Sequence, residues 1–251
     1  MTKLVIITGS SGGIGKELVN CYLESDFYVI GLDLISSDLG DRKNFHELNC
    51  NLLKFVKEQD YRERLSKEIK GLMPKNISEF NIINNAAVQI ISDFFKLSSL
   101  DWDNTFTINA FAPFFMVKEF QDELIQCSGH VINISSIHSK LTKKGFSCYA
   151  ASKAALESLT RSLAIELSPN GVSINSVSPA AISTEMLRKS FASNPEKFSD
   201  LKSYHPSKDI GDPKELAAFV KMITDHKGKF LTGSRFSIAG GIEGALHDPD
   251  Y

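Results

Sequence analysis

Along the whole 251-residue chain, short runs rich in aliphatic residues alternate with longer stretches of helical periodicity. The expected strands are 4–8, 28–33, 44–48, 80–84, 130–135, 172–178 and 235–238, and the main expected helices are 14–25, 52–70, 102–126, 150–167 and 213–224. Several strands, such as Leu4-Val5-Ile6-Ile7, are continuously apolar instead of alternating. That pattern belongs to strands covered on both faces. Strand–helix alternation of this kind builds an α/β fold, a doubly wound parallel sheet with helices on both faces. No repeat or Pro/Gly/Ser-rich linker breaks the pattern, and 42% hydrophobic residues suffice for one core. One domain over 1–251 is the simplest organisation. The least regular stretch, 183–208, carries Asn194-Pro195 and His205-Pro206. The 183–212 connection is expected to be either a plain surface link or a substrate lid.

Charge narrows the partners. Charged residues make up 23%, the net charge is −2, and no basic block stands out. Neither nucleic acid nor an anionic membrane is expected as a partner. Cys21, Cys50, Cys127 and Cys148 are scattered without a C-x-x-C pair, which reads as reduced thiols with no metal site. The apolar run after Met1-Thr2-Lys3 is too short to span a membrane and no cleavage site follows it, so a soluble cytoplasmic protein is expected.

Directly after the first strand comes Thr8-Gly9-Ser10-Ser11-Gly12-Gly13-Ile14-Gly15, followed by a helix. Glycines let the backbone turn tightly and approach a bulky ligand. A helix start presents free N–H groups and a positive dipole end, which suits a pyrophosphate. The position of this turn, in the first strand–turn–helix unit, points to a Rossmann-type dinucleotide site. The second strand ends in Asp33, 18 residues beyond Gly15. There a carboxylate can accept from an adenosine ribose hydroxyl and repel a 2′-phosphate. No Lys or Arg lies among residues 10–15 or directly beside Asp33, which favours NAD over NADP.

Tyr149-Ala150-Ala151-Ser152-Lys153 sets Tyr149 and Lys153 one helical turn apart, on one face. A free phenol titrates near 10, too high for proton shuttling at neutral pH. A nearby cation favours the phenolate. Upstream, Val131-Ile132-Asn133-Ile134 runs into Ser135-Ser136. This places hydroxyls at the C-terminal end of a buried strand, where open parallel sheets bind ligands.

Together these pieces resemble the short-chain dehydrogenase/reductase family over nearly the full length. They occur in that family's order: T-G-S-S-G-G-I-G at 8–15, Asn84-Asn85-Ala86-Ala87, Asn109, Ser136, Tyr149 with Lys153, Ser178-Pro179-Ala180-Ala181-Ile182-Ser183-Thr184, and Ala239-Gly240-Gly241. Ser136 precedes Tyr149 by 13 residues, as in the family. The resemblance implies a catalytic set of Asn109, Ser136, Tyr149 and Lys153. Tyr149 would be the general acid/base and Ser136 would polarise the reacting carbonyl or hydroxyl. Lys153 would hold the nicotinamide ribose and lower the Tyr149 pKa, and Asn109 would hold a relay water. Thr8, Gly9, Ser11, Gly13, Ile14 and Gly15 would cradle the phosphates of the cofactor. Asp33 and Asn49 would face its adenosine, while Asn85 and Ala86 would support its middle. Pro179, Ile182 and Thr184 would meet the nicotinamide side. Family members assemble as homodimers or homotetramers through the helices bearing Asn109 and Tyr149, and the Phe-rich stretch 106–120 is read as core or as such a contact.

Three positions depart from the family pattern. Ala87 and Ala180 replace glycines, and Asn49 stands where an Asp commonly contacts adenine. None removes a catalytic group, and the amide oxygen of Asn49 still accepts. His138 is expected as a solvated loop histidine, with substrate contact as the alternative, and Cys148 as a small packing residue. The leading function is NAD-dependent hydride transfer to or from a small polar alcohol or carbonyl compound: a sugar, polyol or hydroxy acid. An NADPH-dependent 3-oxoacyl-type reductase is the second enzymatic reading. A nicotinamide-binding sensor without turnover is the reading from another class.

Overall fold

The computed structural model describes residues 2–40, 42–191 and 195–245. Its centre is one seven-stranded parallel sheet in the order β3-β2-β1-β4-β5-β6-β7. The strands are β1 (Thr2–Thr8), β2 (Phe27–Asp33), β3 (Phe45–Asn49), β4 (Ile77–Asn84), β5 (His130–Ile134), β6 (Ser173–Pro179) and β7 (Arg235–Ile238). All seven expected strands form, with ends displaced by up to three residues.

The continuous apolar runs have the expected cause. Leu4 and Ile6 of β1 face one core layer with Phe55, Ile69, Phe80, Met116, Phe120 and Leu163. Val5 and Ile7 face the other with Leu18, Tyr22, Phe27, Leu216 and Val220. Successive strand residues point to opposite faces, so a strand with a hydrophobic layer on each side needs an apolar residue at every position. Helices α1 (Gly13–Glu24) and α10 (Pro213–Asp225) cover the second face. The first is covered by α2 (Leu52–Lys57), α3 (Gln59–Leu72), α5 (Ala112–Glu119) and α7 (Ser147–Leu167).

Two expected helices are divided. The 52–70 stretch breaks at Glu58, whose extended backbone ends α2 and starts α3. The 102–126 stretch begins earlier, as α4 (Ser99–Phe106) with a capping box between Ser98 and Asp101. It then widens into a five-residue π turn, Thr107–Phe111, before α5, and bends at Phe120 into α6 (Gln121–Cys127). Pro113 explains the wide turn: it has no N–H to give the carbonyl four residues back, at Asn109, and its ring crowds that carbonyl. π turns of this kind cluster at functional sites, and this one carries Asn109.

The 183–208 region is more regular than expected. It holds α8 (Glu185–Ser190) and α9 (Pro195–Ser203), and Asn194 lies outside the described residues. The base of this excursion is closed: Ser183 N–H donates to Gly211 O at 2.8 Å and Gly211 N–H to Ala181 O at 2.9 Å. Among the described residues, no helix is long and apolar enough to cross a membrane.

Candidate active site

The chain runs outward from β1 to β2 and β3 on one side, then crosses to β4 and builds the other side. That reversal lies between β1 and β4, and ligands bind outside the carboxyl ends of strands at such a point. The glycine turn leaves β1 there. Gly9 has φ +67°, and a Cβ on it would lie 2.8 Å from the Ala86 Cα. A Cβ on Gly15 would lie 1.9 Å from Gly9 O, and one on Gly13 would lie 2.9 Å from the Thr184 side chain. Only glycine permits this closeness. Thr8 Oγ1 accepts from the Asn85 and Ala86 N–H groups, each at 3.1 Å, and Asn85 Nδ2 donates to Thr8 O and Gly9 O. The turn is thereby tied to the end of β4.

This region fits a dinucleotide by two observations of its own. Helix α1 starts at Gly12 with no side-chain cap, leaving its first N–H groups for an outside acceptor. The Ser10 hydroxyl is buried beside it with no partner. Ile14 packs against the second core layer and anchors the helix start. At the end of β2, Asp33 accepts from Ser11 N–H at 2.9 Å and from Ile35 N–H at 3.3 Å. Asn49 is exposed at the end of β3, and its Nδ2 donates to Leu34 O at 2.8 Å. Its amide thus braces the chain beside Asp33.

The four residues of the expected catalytic set converge at the ends of β5 and the start of α7. Ser136 lies close enough to Tyr149 to act on its titration, and its hydroxyl oxygen accepts from His138 N–H at 3.2 Å. Lys153 is 2% exposed; its Nζ donates to Ile134 O at 2.7 Å and lies 5.8 Å from the Tyr149 ring centre. Asn109 is 1% exposed and closes two bonds with the Val88 backbone, both 2.9 Å. A third bond, to Ser152 Oγ at 3.0 Å, links it to α7, where that hydroxyl donates to Tyr149 O at 2.7 Å.

Burial controls the charges here. It pushes the Tyr149 phenol above its ordinary value, with Ser136 pulling the other way. The depression expected from Lys153 is therefore not the net result of the protein groups alone. Burial also pulls the Lys153 ammonium down to about 7, against the opposing field of Glu157.

Pro179 ends β6, paired with Ile238. Ile182 is buried and bridges to Gly211. Thr184 lies over Gly13, where its Oγ1 accepts from Leu187 N–H at 3.2 Å. Of these three, Thr184 is the one that reaches the glycine turn. Ala87 is exposed and Ala180 half-buried.

His138 corrects an expectation. It is not a solvated loop residue: its ring stacks on Phe146 at 4.4 Å and meets Tyr149 edge-on at 6.0 Å. Burial lowers its pKa, and its Nδ1 is buried without a partner. The 140–146 loop brings Phe146 back over it, which no local pattern announces. Cys148 is buried packing, with its Sγ directed at Asp101 O. The Phe-rich stretch divides: Phe120 is core, whereas Phe111 and Phe114 are exposed.

Two groups escaped the sequence reading. Ser152 sits inside the Y-x-x-x-K motif and joins Asn109 to the Tyr149 backbone. Glu157, one turn beyond Lys153, is a buried node. It accepts from Ser139 Oγ at 2.6 Å, Ser178 Oγ at 2.7 Å and Arg235 Nε at 2.9 Å. Arg235 continues to Glu243, with Nη1 to Oε2 at 3.0 Å. Burial pushes the Glu157 carboxyl up, but these donors outweigh it and the net direction is down. The i+4 spacing from Lys153 was the available signal.

Comparison with known proteins agrees with this geometry. The family model described as short chain dehydrogenase matches residues 3–195. An NAD-dependent glycerol dehydrogenase of Listeria innocua is 29% identical over 243 residues, covering 95% of this chain and 93% of the relative. A 3-oxoacyl-[acyl-carrier-protein] reductase of Buchnera aphidicola is 27% identical over 242 residues, covering 96% and 97%. Among solved structures, 4-hydroxyisoleucine dehydrogenase complexed with NADH superposes with a TM-score of 0.86 at 26% identity, covering 98% of this chain and 100% of that one. A seven-stranded sheet with a glycine turn at its reversal and a Ser–Tyr–Lys cluster beside it is thus matched over most of its length: the chain belongs to the short chain dehydrogenases, oxidoreductases that bind a nicotinamide cofactor.

Proposed function

We propose that this protein is an NAD-dependent oxidoreductase of a small polar alcohol or its carbonyl counterpart, in the class of sugars, polyols and hydroxy acids. The observation that carries the chemistry is the convergence of Ser136, at the end of β5, with Tyr149 and the buried Lys153 on α7, whose Nζ lies 5.8 Å from the Tyr149 ring centre. Nicotinamide, when bound, accepts or gives the hydride. Tyr149 gives or takes the hydroxyl proton at its Oη, Ser136 orients the substrate oxygen, and burial excludes water from the pair. Lys153 favours the phenolate only in its charged form, which burial brings down to a pKa of about 7. Asn109 fixes the strand-end segment at Val88 and the start of α7 relative to each other, and its relay-water role is part of the same proposal. Thr8, Gly9, Ser11, Gly13, Ile14 and Gly15 hold the phosphates, and Asn85, Ala86, Pro179, Ile182 and Thr184 the nicotinamide half.

Asp33 supports NAD, since its carboxylate stands where a ribose 2′-hydroxyl would donate and a 2′-phosphate would be repelled. The names of the glycerol dehydrogenase and the NADH-bound dehydrogenase support the same reading. The Buchnera relative keeps a 3-oxoacyl-type reductase as the second reading. Residues 1–251 form one catalytic domain in this proposal, with 183–212 as a lid pinned at its base. A cytoplasmic homodimer or homotetramer completes it, supported by exposed Trp102, Phe111 and Phe114; size-exclusion chromatography tests the assembly.

The first test is fluorescence titration with NADH and with NADPH. Tighter NADH binding, followed by turnover of a polyol or hydroxy acid with NAD, is expected. Tighter NADPH binding would put the 3-oxoacyl-type reductase first. Binding of neither would bring forward a sensor whose site takes another ligand.

A further inference from the structure

We infer that Glu47 is a second cofactor-specificity residue, adding its negative charge to that of Asp33 against a 2′-phosphate. The inference rests on the NAD reading and extends it to a residue outside the motif. Glu47 lies on β3 opposite Gly31 of β2, two residues before the Asp33–Asn49 pair. Side chains two apart on a strand share a face, so Glu47 projects on the same side as Asn49. The bare Gly31 lets the glycine turn pack against β2, since a Cβ there would lie 2.7 Å from Ser10 Oγ.

Both carboxylates then meet on one residue of the glycine turn. Ser11 N–H donates to Asp33 Oδ2 at 2.9 Å, and Ser11 Oγ, 2.8 Å from Ile35 O and 3.0 Å from Glu47 Oε1, shares its one proton between those two acceptors. The other Glu47 oxygen, Oε2, accepts from Ser37 N–H at 2.8 Å, which draws the 34–38 loop over the end of β2. A 2′-phosphate placed at Asp33 would therefore face two carboxylates. Nearby cations point elsewhere. Lys16 pairs with Asp38 at 2.6 Å, and Arg42 is bound to Asn20 Oδ1 at 2.8 Å and Leu39 O at 3.1 Å. Like charges at this range in a partly buried site repel strongly.

The neutral isostere isolates the charge. In Glu47→Gln the amide oxygen can still accept from Ser37, and the amide N–H can donate to Ser11 Oγ, whose hydroxyl keeps its bond to Ile35 O at 2.8 Å. The experiment measures NADH and NADPH dissociation constants for the wild type, Glu47→Gln, Asp33→Asn and the double variant, with a thermal melt of each. Expected is a wild type that prefers NADH. Glu47→Gln should tighten NADPH binding about 10-fold, equivalent to about 1.4 kcal/mol, with NADH binding changed less than about twofold. The double variant should approach parity. If Asp33→Asn shifts the preference and Glu47→Gln does not, the NAD reading stands and the inference on Glu47 falls. If Glu47→Gln weakens both cofactors alike, Glu47 is a loop brace only and the inference falls. A wild type that prefers NADPH overturns both.

Discussion

At the residue scale, function depends on a few atoms whose neighbours leave no alternative. Tyr149→Phe removes the only ionisable group of that side chain and keeps its packing against His138 and Phe146. Turnover should fall about 10²–10⁴-fold while NADH affinity stays within about twofold; steady-state kinetics beside a fluorescence titration checks this, and unchanged turnover would remove Tyr149 from its role. The glycines separate just as sharply. Gly15→Ala drives a Cβ to 1.9 Å from Gly9 O, so the turn must open, and NADH binding should be lost with a stability loss of about 1–3 kcal/mol. Gly12→Ala is the control, because its Cβ meets only Gly9 O at 3.6 Å and its φ of −78° suits any residue; its stability should stay within about 0.5 kcal/mol. Melting curves of the two variants distinguish a packed turn from a merely flexible one.

At the element scale, the site is assembled by ties between segments far apart in the chain. Glu157 joins α7 to the turn after β5 through Ser139, to β6 through Ser178, and to β7 through Arg235. Truncating one partner of a buried ion pair strands the others. Glu157→Ala should therefore cost about 3 kcal/mol, read as a lower urea midpoint, and Glu157→Gln should recover part of it because the amide oxygen still accepts from the serines. Equal midpoints for the alanine variant and the wild type would show that the node carries no stability. The π turn shows the same dependence on context. Pro113 was visible in the sequence, yet it stands within a long apolar helical pattern. What it does to Asn109, four residues earlier, becomes clear only with α4, α5 and Val88 in place.

At the scale of the whole molecule, the sheet buries polar groups as well as apolar ones, and this shapes the pH response. His130 starts β5 and is 6% exposed, with Nδ1 unpartnered. Burial, helped by the charge of Lys227, brings its pKa from 6.5 down to about 4. The unfolded chain therefore holds the proton more tightly. The stability tied to neutral His130 is fully present above about pH 6.5 and is lost as the pH falls toward 4, about 3 kcal/mol in all. Urea denaturation between pH 7 and 4 should show this loss in the wild type and a shallower slope in His130→Gln. Parallel slopes would assign acid sensitivity to other groups.

Much was legible in the linear order because its causes are local. An apolar run with no alternation specifies a strand covered twice, as Leu4 to Ile7 are. A glycine turn between a strand and a helix specifies an anion-binding helix start. Tyr149 and Lys153 share a face by helical spacing alone. These determined the doubly wound parallel sheet and marked the glycine turn and the candidate tetrad. The tertiary structure alone decided which groups meet across the sheet: Glu47 with Ser11, Glu157 with Ser178 and Arg235, and His138 with Phe146. It also decided the net titration of Tyr149 and Lys153, because desolvation depends on every segment folded around a group, and no spacing along the chain encodes that.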